Sequence, residues 1–216
     1  MSEFSGYLEI EEIHKIISAV KLVSKHPERD QLLLETMWQT GSRVSEVIHL
    51  VPERVGTTSI VLNNLKQVKR VKVPGKEKPD RVHNPDALKE VEVSAELCQR
   101  IKDFCVEHSI HKGEWVFKSS RGSKSLNRWY VWDLVTRASE KAMIFKFGKK
   151  NPKTGGRFKG SFPHLFRHAN AQFLLEKTSD IMLVKTQLGH ANVSTTQMYA
   201  FTKKPKIRAE IKKIQW

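Results

Sequence analysis

Apolar side chains first recur at the spacing of one helix face. Ile10, Ile13, Ile16, Ile17, Val20 and Val23 predict an amphipathic helix, which His26-Pro27 breaks. A second helix carries Leu32, Leu33, Leu34 and Met37, with Asp30 as its expected cap and Gly41 as its expected stop. Past Pro52 the period shortens: Thr57-Thr58-Ser59-Ile60-Val61-Leu62 reads as a strand and Val91-Glu92-Val93 as another. The lysine-rich stretch between them holds Pro74, Gly75, Pro79 and Pro85 and is too long for a tight turn. It reads as an elaborated hairpin or a mobile loop. Helical texture returns from Ala95 to about Val106 and from Asn127 to about Lys141, and Phe147 to Gly160 predicts an exposed basic loop. Pro163 belongs at the first turn of a helix through Leu165, Phe166, Ala169, Phe173 and Leu174, where its missing N–H costs nothing. Ser179 or Asp180 caps the next helix, which ends at Gly189, and Ser194 caps a short one carrying Tyr199. With no internal repeat and no domain-scale linker, the pattern predicts one domain, mainly α with a small antiparallel β-sheet, of the α+β class.

Composition agrees with a packed core: 216 residues, 39% of them hydrophobic and 28% charged. No apolar run approaches the roughly 20 residues that span a bilayer, and the first residues lack the order of a signal peptide. Charge adds more. Lysine and arginine total 38 against 23 acidic residues, a net charge of +15, which suits a polyanionic partner. No Asp or Glu occurs from Lys141 to Leu175, where Lys146, Lys149, Lys150, Lys153, Arg157, Lys159 and Arg167 stand. A second basic cluster runs through Lys66, Lys69, Arg70, Lys72, Lys76, Lys78 and Arg81. Two such segments fit a surface that follows a phosphate backbone better than scattered solubilising charge. Cys98 and Cys105 match no metal or redox spacing and are expected to be small buried hydrophobes.

Candidate chemistry starts at Pro163-His164-Leu165-Phe166-Arg167-His168. On a helix His164, Arg167 and His168 share one face and can offer several donors to one anion. The zinc-peptidase pattern needs a glutamate after the first histidine, and Leu165 is there instead, so no metal is expected. Leu188-Gly189-His190 follows, with His190 placed 23 residues after Arg167 and Tyr199 nine after His190. Upstream, Thr40-Gly41-Ser42-Arg43-Val44-Ser45-Glu46 puts an arginine just past a helix end. Taken singly, Arg43 fits an ion pair with Glu46, and Tyr199 fits a core position.

Together these segments resemble the tyrosine recombinases of the phage integrase family. Thr40 to Glu46 resembles the first arginine box. His164 to His168 resembles the HxLRH box, with Phe166 where leucine is usual. Leu188 to Tyr199 resembles the box that ends in the nucleophile. The resemblance covers nearly the whole chain and is weakest from Lys69 to Asp86 and from Lys146 to Ser161. It implies a metal- and ATP-independent DNA strand transferase without cofactor, in which Tyr199 attacks a phosphate and leaves a 3′-phosphotyrosyl bond. Arg43 and Arg167 would clamp the scissile phosphate and His190 would donate to a nonbridging oxygen. His164 would stand beside the nucleophile. Lys66, 23 residues after Arg43, would protonate the leaving 5′-oxygen. Glu46 and His168 would support from behind. Lys69, Arg70, Lys72, Lys149, Lys150, Lys153, Arg157 and Lys159 would contact DNA.

The resemblance also implies double-stranded DNA as partner, self-association on it (a synaptic tetramer in the full-length context), and a cytoplasmic, nucleoid-associated site in a prokaryote. Residues 1–216 read as one catalytic domain, beginning where the family's N-terminal core-binding domain would already have ended. Residues 201–216 read as a basic tail, docking either on a neighbouring protomer or on its own domain. Two other readings use the same residues: a type IB topoisomerase or telomere resolvase, and a DNA-binding protein whose chemistry has lapsed.

Overall fold

The computed structural model describes residues 8–64, 87–120, 122–144 and 163–188, and the backbone course of 68–71 and 80–83. Helix α1 spans Ile10–Ala19 and runs into a 3-10 turn, Val20–Leu22; α2 spans Pro27–Thr40 and α3 Val44–Val47. A 3-10 turn at Pro52–Arg54 leads to strands β1 (Ser59–Asn63), β2 (Val68–Val71), β3 (Asp80–His83) and β4 (Leu88–Glu92). Helices α4 (Ala95–Glu107), α5 (Arg128–Lys141), α6 (His164–Thr178) and α7 (Ile181–Leu188) complete the described chain. The mainly α fold with a small antiparallel sheet is the one the pattern predicts.

Helix α2 is the centre of the fold. It buries Leu32, Leu33, Leu34, Met37 and Trp38, too many directions for a single stripe, and packs against α1, α3, α4 and α6. Ile13 and Ile16 of α1, Leu97 and Ile101 of α4, and Val131, Leu134 and Val135 of α5 close the same core. Trp38 meets Phe173 of α6 with ring centroids 5.6 Å apart. A smaller cluster, Ala171, Leu175, Val184 and Leu188, fastens α7 onto α6.

The sheet is two nested antiparallel pairs. β1 pairs with β4 in the register Ser59↔Glu92 to Asn63↔Leu88, and β2 pairs with β3 from Val68↔His83 to Val71↔Asp80. The lysine-rich stretch is thus an elaborated hairpin at its base. The two predicted outer strands are each shifted by a residue or more, because pairing with the partner strand, not local propensity, sets their ends.

The expected cap at Asp30 is wrong. α2 begins three residues earlier, at Pro27, and its N-terminal flank His26 makes no side-chain cap bond. Asp30 lies inside the first turn, fully buried, accepting from the Ser24 and Tyr130 hydroxyls and from Arg29 Nε. Its carboxylate organises a buried network that ties α2 to α5, instead of freeing a helix end. Pro163 stands just ahead of α6, and its carbonyl accepts from Phe166 N–H at 3.2 Å. Of the two proposed caps for the next helix, Asp180 does the work: its Oδ1 accepts from the Met182 and Leu183 N–H groups at 2.7 and 3.1 Å. Ser179 instead closes α6 in the left-handed conformation, φ 55°. Both cysteines are buried free thiols, and burial pushes Cys105 up to about 11, as an inert small hydrophobe requires. Among the described residues no helix is long and apolar enough to cross a membrane.

Candidate active site

Gly41 ends α2 in the left-handed region, φ +57°, which a residue with a Cβ adopts only at a cost. The chain can therefore turn sharply and start α3 after only Ser42 and Arg43. A side chain from α6 serves the same helix end: Asn170 Nδ2 donates to the Trp38 and Gln39 carbonyls at 2.9 and 3.2 Å. The Trp38 carbonyl also accepts the Gly41 N–H at 3.3 Å, and the side-chain amide adds to that closure while serving the Gln39 carbonyl at the helix end.

Arg43 has extended backbone, φ −74° and ψ 149°, and directly precedes α3. Glu46, in the first turn of α3, reaches back twice. Its Oε2 accepts the Arg43 backbone N–H at 3.0 Å, and its Oε1 accepts Arg43 Nη1 at 2.7 Å. The first contact is half of a capping box; a guanidinium has no lone pair with which to return the other half. Glu46 is fully buried and also receives Lys89 Nζ of β4 at 2.8 Å. Burial raises the Glu46 carboxyl, but the Lys89 ammonium and the Arg43 contacts outweigh it and hold it below the ordinary glutamate value. Burial pulls Lys89 down to about 8 against the pull of Glu46, and the nearby charges of Arg167 and Arg43 push the same way.

Arg167 is 2% exposed. Its Nη1 donates to the Gly41 carbonyl at 2.6 Å and its Nη2 to the Leu188 carbonyl at 2.9 Å. One guanidinium thus joins the turn that carries Arg43 to the end of α7, two residues short of His190. His164 is exposed and His168 half-buried, one turn apart on α6, with ring centroids 4.9 Å apart and edge to face. Burial, helped by the Arg167 charge, lowers His168 below its usual value, which favours the neutral ring.

Arg43, Glu46, Arg167, His164 and His168 are therefore described, and the first three are brought together by α2, α3 and α6. Lys66, Lys72, Lys149, Lys150, Lys153, Arg157, Lys159, His190 and Tyr199 lie outside the described residues, as does the tail 201–216. Lys69 and Arg70 fall on β2, where only the backbone is described. Among the described residues one group could offer an ion three ligand atoms, the exposed Glu28, Glu107 and His108 on or just after α2 and α4, and it includes none of the site residues. Sequence reasoning missed Lys89 and Asn170. Lys89 had a signal: strict alternation along Leu88-Lys89-Glu90-Val91-Glu92 puts it on the same face as Val91. A lysine on the buried face of a strand calls for a carboxylate partner.

The profile of the phage integrase family matches residues 7–205. The chain belongs to the phage integrase family. Among relatives in this family, the tyrosine recombinase XerD of Staphylococcus aureus is 30% identical over 202 residues, covering 93% of this chain and 59% of that one. The XerD protein of Staphylococcus epidermidis is 29% identical over 201 residues, with the same coverage. The chain spans 59% of the length of these recombinases. Solved structures share the fold. The XerH site-specific recombinase bound to its difH substrate superposes with a TM-score of 0.65 at 22% identity, over 99% of this chain and 54% of that one. The catalytic domain of bacteriophage HP1 integrase does so with a TM-score of 0.55 at 20% identity, over 96% and 94% of the two chains.

Proposed function

We propose that this phage integrase domain cleaves and rejoins double-stranded DNA as the catalytic domain of a site-specific recombinase, with Tyr199 as the nucleophile. The observation that carries the proposal is the bracing of the first arginine box and the Leu188 box by Arg167. Three segments far apart in sequence meet at one cationic site, as a reaction on a single phosphate requires.

A tyrosine hydroxyl has a pKa of about 10 and is a weak nucleophile at neutral pH. Arg43, Arg167 and His190 stabilise the charge that grows on the nonbridging oxygens in the transition state, the role a metal ion plays elsewhere. The guanidinium forks of Arg43 and Arg167 suit phosphate and stay charged at any working pH. His164 accepts or shares the phenol proton, and Lys66 protonates the leaving 5′-oxygen. Attack by Tyr199 forms the tyrosyl–phosphorus bond and breaks the bond to the 5′-oxygen. The phosphodiester energy is kept, so rejoining by the 5′-hydroxyl needs no ATP. Glu46 orients Arg43 and His168 lies behind the histidine face, while the lysines and arginines of β2 and of 149–159 contact the DNA backbone. The domain acts with further copies of itself on DNA, a tetramer at synapsis in the full-length context, in the cytoplasm and on the nucleoid of a prokaryotic cell.

The test is a nicked suicide duplex carrying the element's own recombination site, incubated with excess EDTA. Wild type gives a denaturant-resistant protein–DNA adduct, and Tyr199→Phe binds the duplex but gives none. An adduct with Tyr199→Phe refutes the nucleophile, and an adduct that requires added metal refutes the mechanism. Relaxation of supercoiled plasmid without the site would instead assign a topoisomerase.

A further inference from the structure

We infer that Lys89 is a positioning residue for strand cleavage: from β4 it fixes the carboxylate of Glu46, and Glu46 in turn aims the guanidinium of Arg43. The inference rests on the cleavage reading above, and one arm of its test is independent of that reading.

Three features separate Lys89 from an ordinary surface lysine. It is 8% exposed, and its ammonium sits 2.8 Å from a carboxylate that is itself fully buried. The carboxylate is divided: Oε1 holds Arg43 Nη1 at 2.7 Å, while Oε2 holds both Lys89 Nζ and the Arg43 N–H. A carboxylate pinned at one oxygen can still swing about its Cγ–Cδ bond, whereas one pinned at both has one orientation. Both Arg43 contacts come from the residue being aimed, so Lys89 supplies a charged anchor on Oε2 from a different element, and ties the carboxylate to β4 as well as to its own turn.

The second consideration is charge. The Glu46 carboxylate attracts the Lys89 ammonium, while Arg167 and Arg43 act on that ammonium as like charges. Replacing the ammonium alone by an apolar side chain strips a buried carboxylate of a charged partner, whereas replacing both members of such a pair is often close to neutral. Glu46 thus carries its charge between Lys89 and Arg43, and the direction it takes depends on both.

The third is mechanical. Lys89 lies directly across from Leu62 in the β1–β4 pair, and the Asn64 N–H bonds the Ala87 carbonyl at 2.6 Å. The strand ends that lead into the segment carrying Lys66 are thus anchored by Lys89 to the turn that carries Arg43. One ammonium sets the spacing between the arginine turn and the base of the hairpin.

The test uses the intact chain with Lys89→Met, Lys89→Arg, Arg43→Ala and the double variants Arg43→Ala/Lys89→Met and Glu46→Gln/Lys89→Met. Single-turnover cleavage of the suicide duplex should fall about tenfold to a hundredfold in Lys89→Met, the scale of a small misplacement of a catalytic group. Lys89→Arg should recover most of the loss. In the Arg43→Ala background the same substitution should change the rate less than about twofold, since the group it aims is gone. Glu46→Gln/Lys89→Met removes both buried charges; it should melt near wild type yet cleave slowly, which separates lost positioning by the Glu46–Lys89 pair from lost stability. In nitrogen-15 spectra of labelled arginine, the resolved Arg43 guanidinium signal of wild type should broaden or vanish in Lys89→Met. Wild-type cleavage by Lys89→Met, an equal loss in the Arg43→Ala background, or an unchanged Arg43 signal would each overturn the inference. If wild type itself forms no adduct while the Arg43 signal depends on Lys89, positioning stands and the cleavage reading fails.

Discussion

Replacing Gly41 by alanine tests the geometry on which the site depends. A Cβ built there would lie 2.4 Å from Asn170 Oδ1 and 2.6 Å from Leu188 Cδ2, and the backbone has φ +57°. The left-handed conformation costs an L-residue roughly 1–2 kcal/mol. Forcing a methyl into filled space adds about 1–3 kcal/mol, and the stiffer unfolded chain returns about 0.4–1 kcal/mol. The net loss is roughly 1–4.5 kcal/mol, or a fall of about 2–18 °C in Tm for a domain of this size. Urea unfolding at constant m-value measures it. Gly41→Asn separates the two costs, since asparagine tolerates the left-handed region but keeps the Cβ. If the collision dominates, both variants fall alike; if the backbone dominates, asparagine recovers most of the loss. Gly41→Ala within about 0.5 kcal/mol of wild type, a change ordinary for a surface site, would refute the argument.

Three further outcomes are expected. With +15 net charge and about six neutralised phosphates, the log–log dependence of DNA affinity on salt should have a slope near about −5, and nanomolar affinity with a shallow slope at physiological salt would contradict it. Lys66→Ala should cleave ordinary DNA slowly but a 5′-bridging phosphorothioate at near the wild-type rate, because sulfur leaves without a proton; rescue of Lys69→Ala alone would move the acid there. His168 is lowered from its ordinary 6.5, by burial first and by Arg167 second, so protonation favours the unfolded chain. Its contribution to stability is full above pH 6.5 and is lost as pH falls through the lowered folded value, and His168→Gln should flatten that part of a Tm-against-pH curve.

What the sequence made legible follows from how local each signal is. Gly41 and the apolar faces of α1 and α2 rest on turn residues and short-range periodicity, and the boxes around Arg43 and Arg167 on their resemblance to the family. Asp30 was misplaced because an aspartate near a helix start has two uses, and only the distant Tyr130 decides between them. Lys89 and Asn170 act across 43 and more than 130 residues, on Glu46 and on Trp38 and Gln39. No window along the chain contains either pair. Arg167 was readable as an arginine of the site but not as a structural tie, because its carbonyl partners belong to the backbone and leave no trace in residue type.

That tie has an electrical side. The Gly41 and Leu188 carbonyls stand at the C-terminal ends of α2 and α7, where a helix presents about half a negative charge. Two such ends converge on one guanidinium and together offset about one unit of charge with dipoles fixed in the main chain. Dipoles of that kind neither titrate nor leave, so the cation can remain buried at any pH. The helix ends hold the arginine in place and balance its charge without any group that titrates.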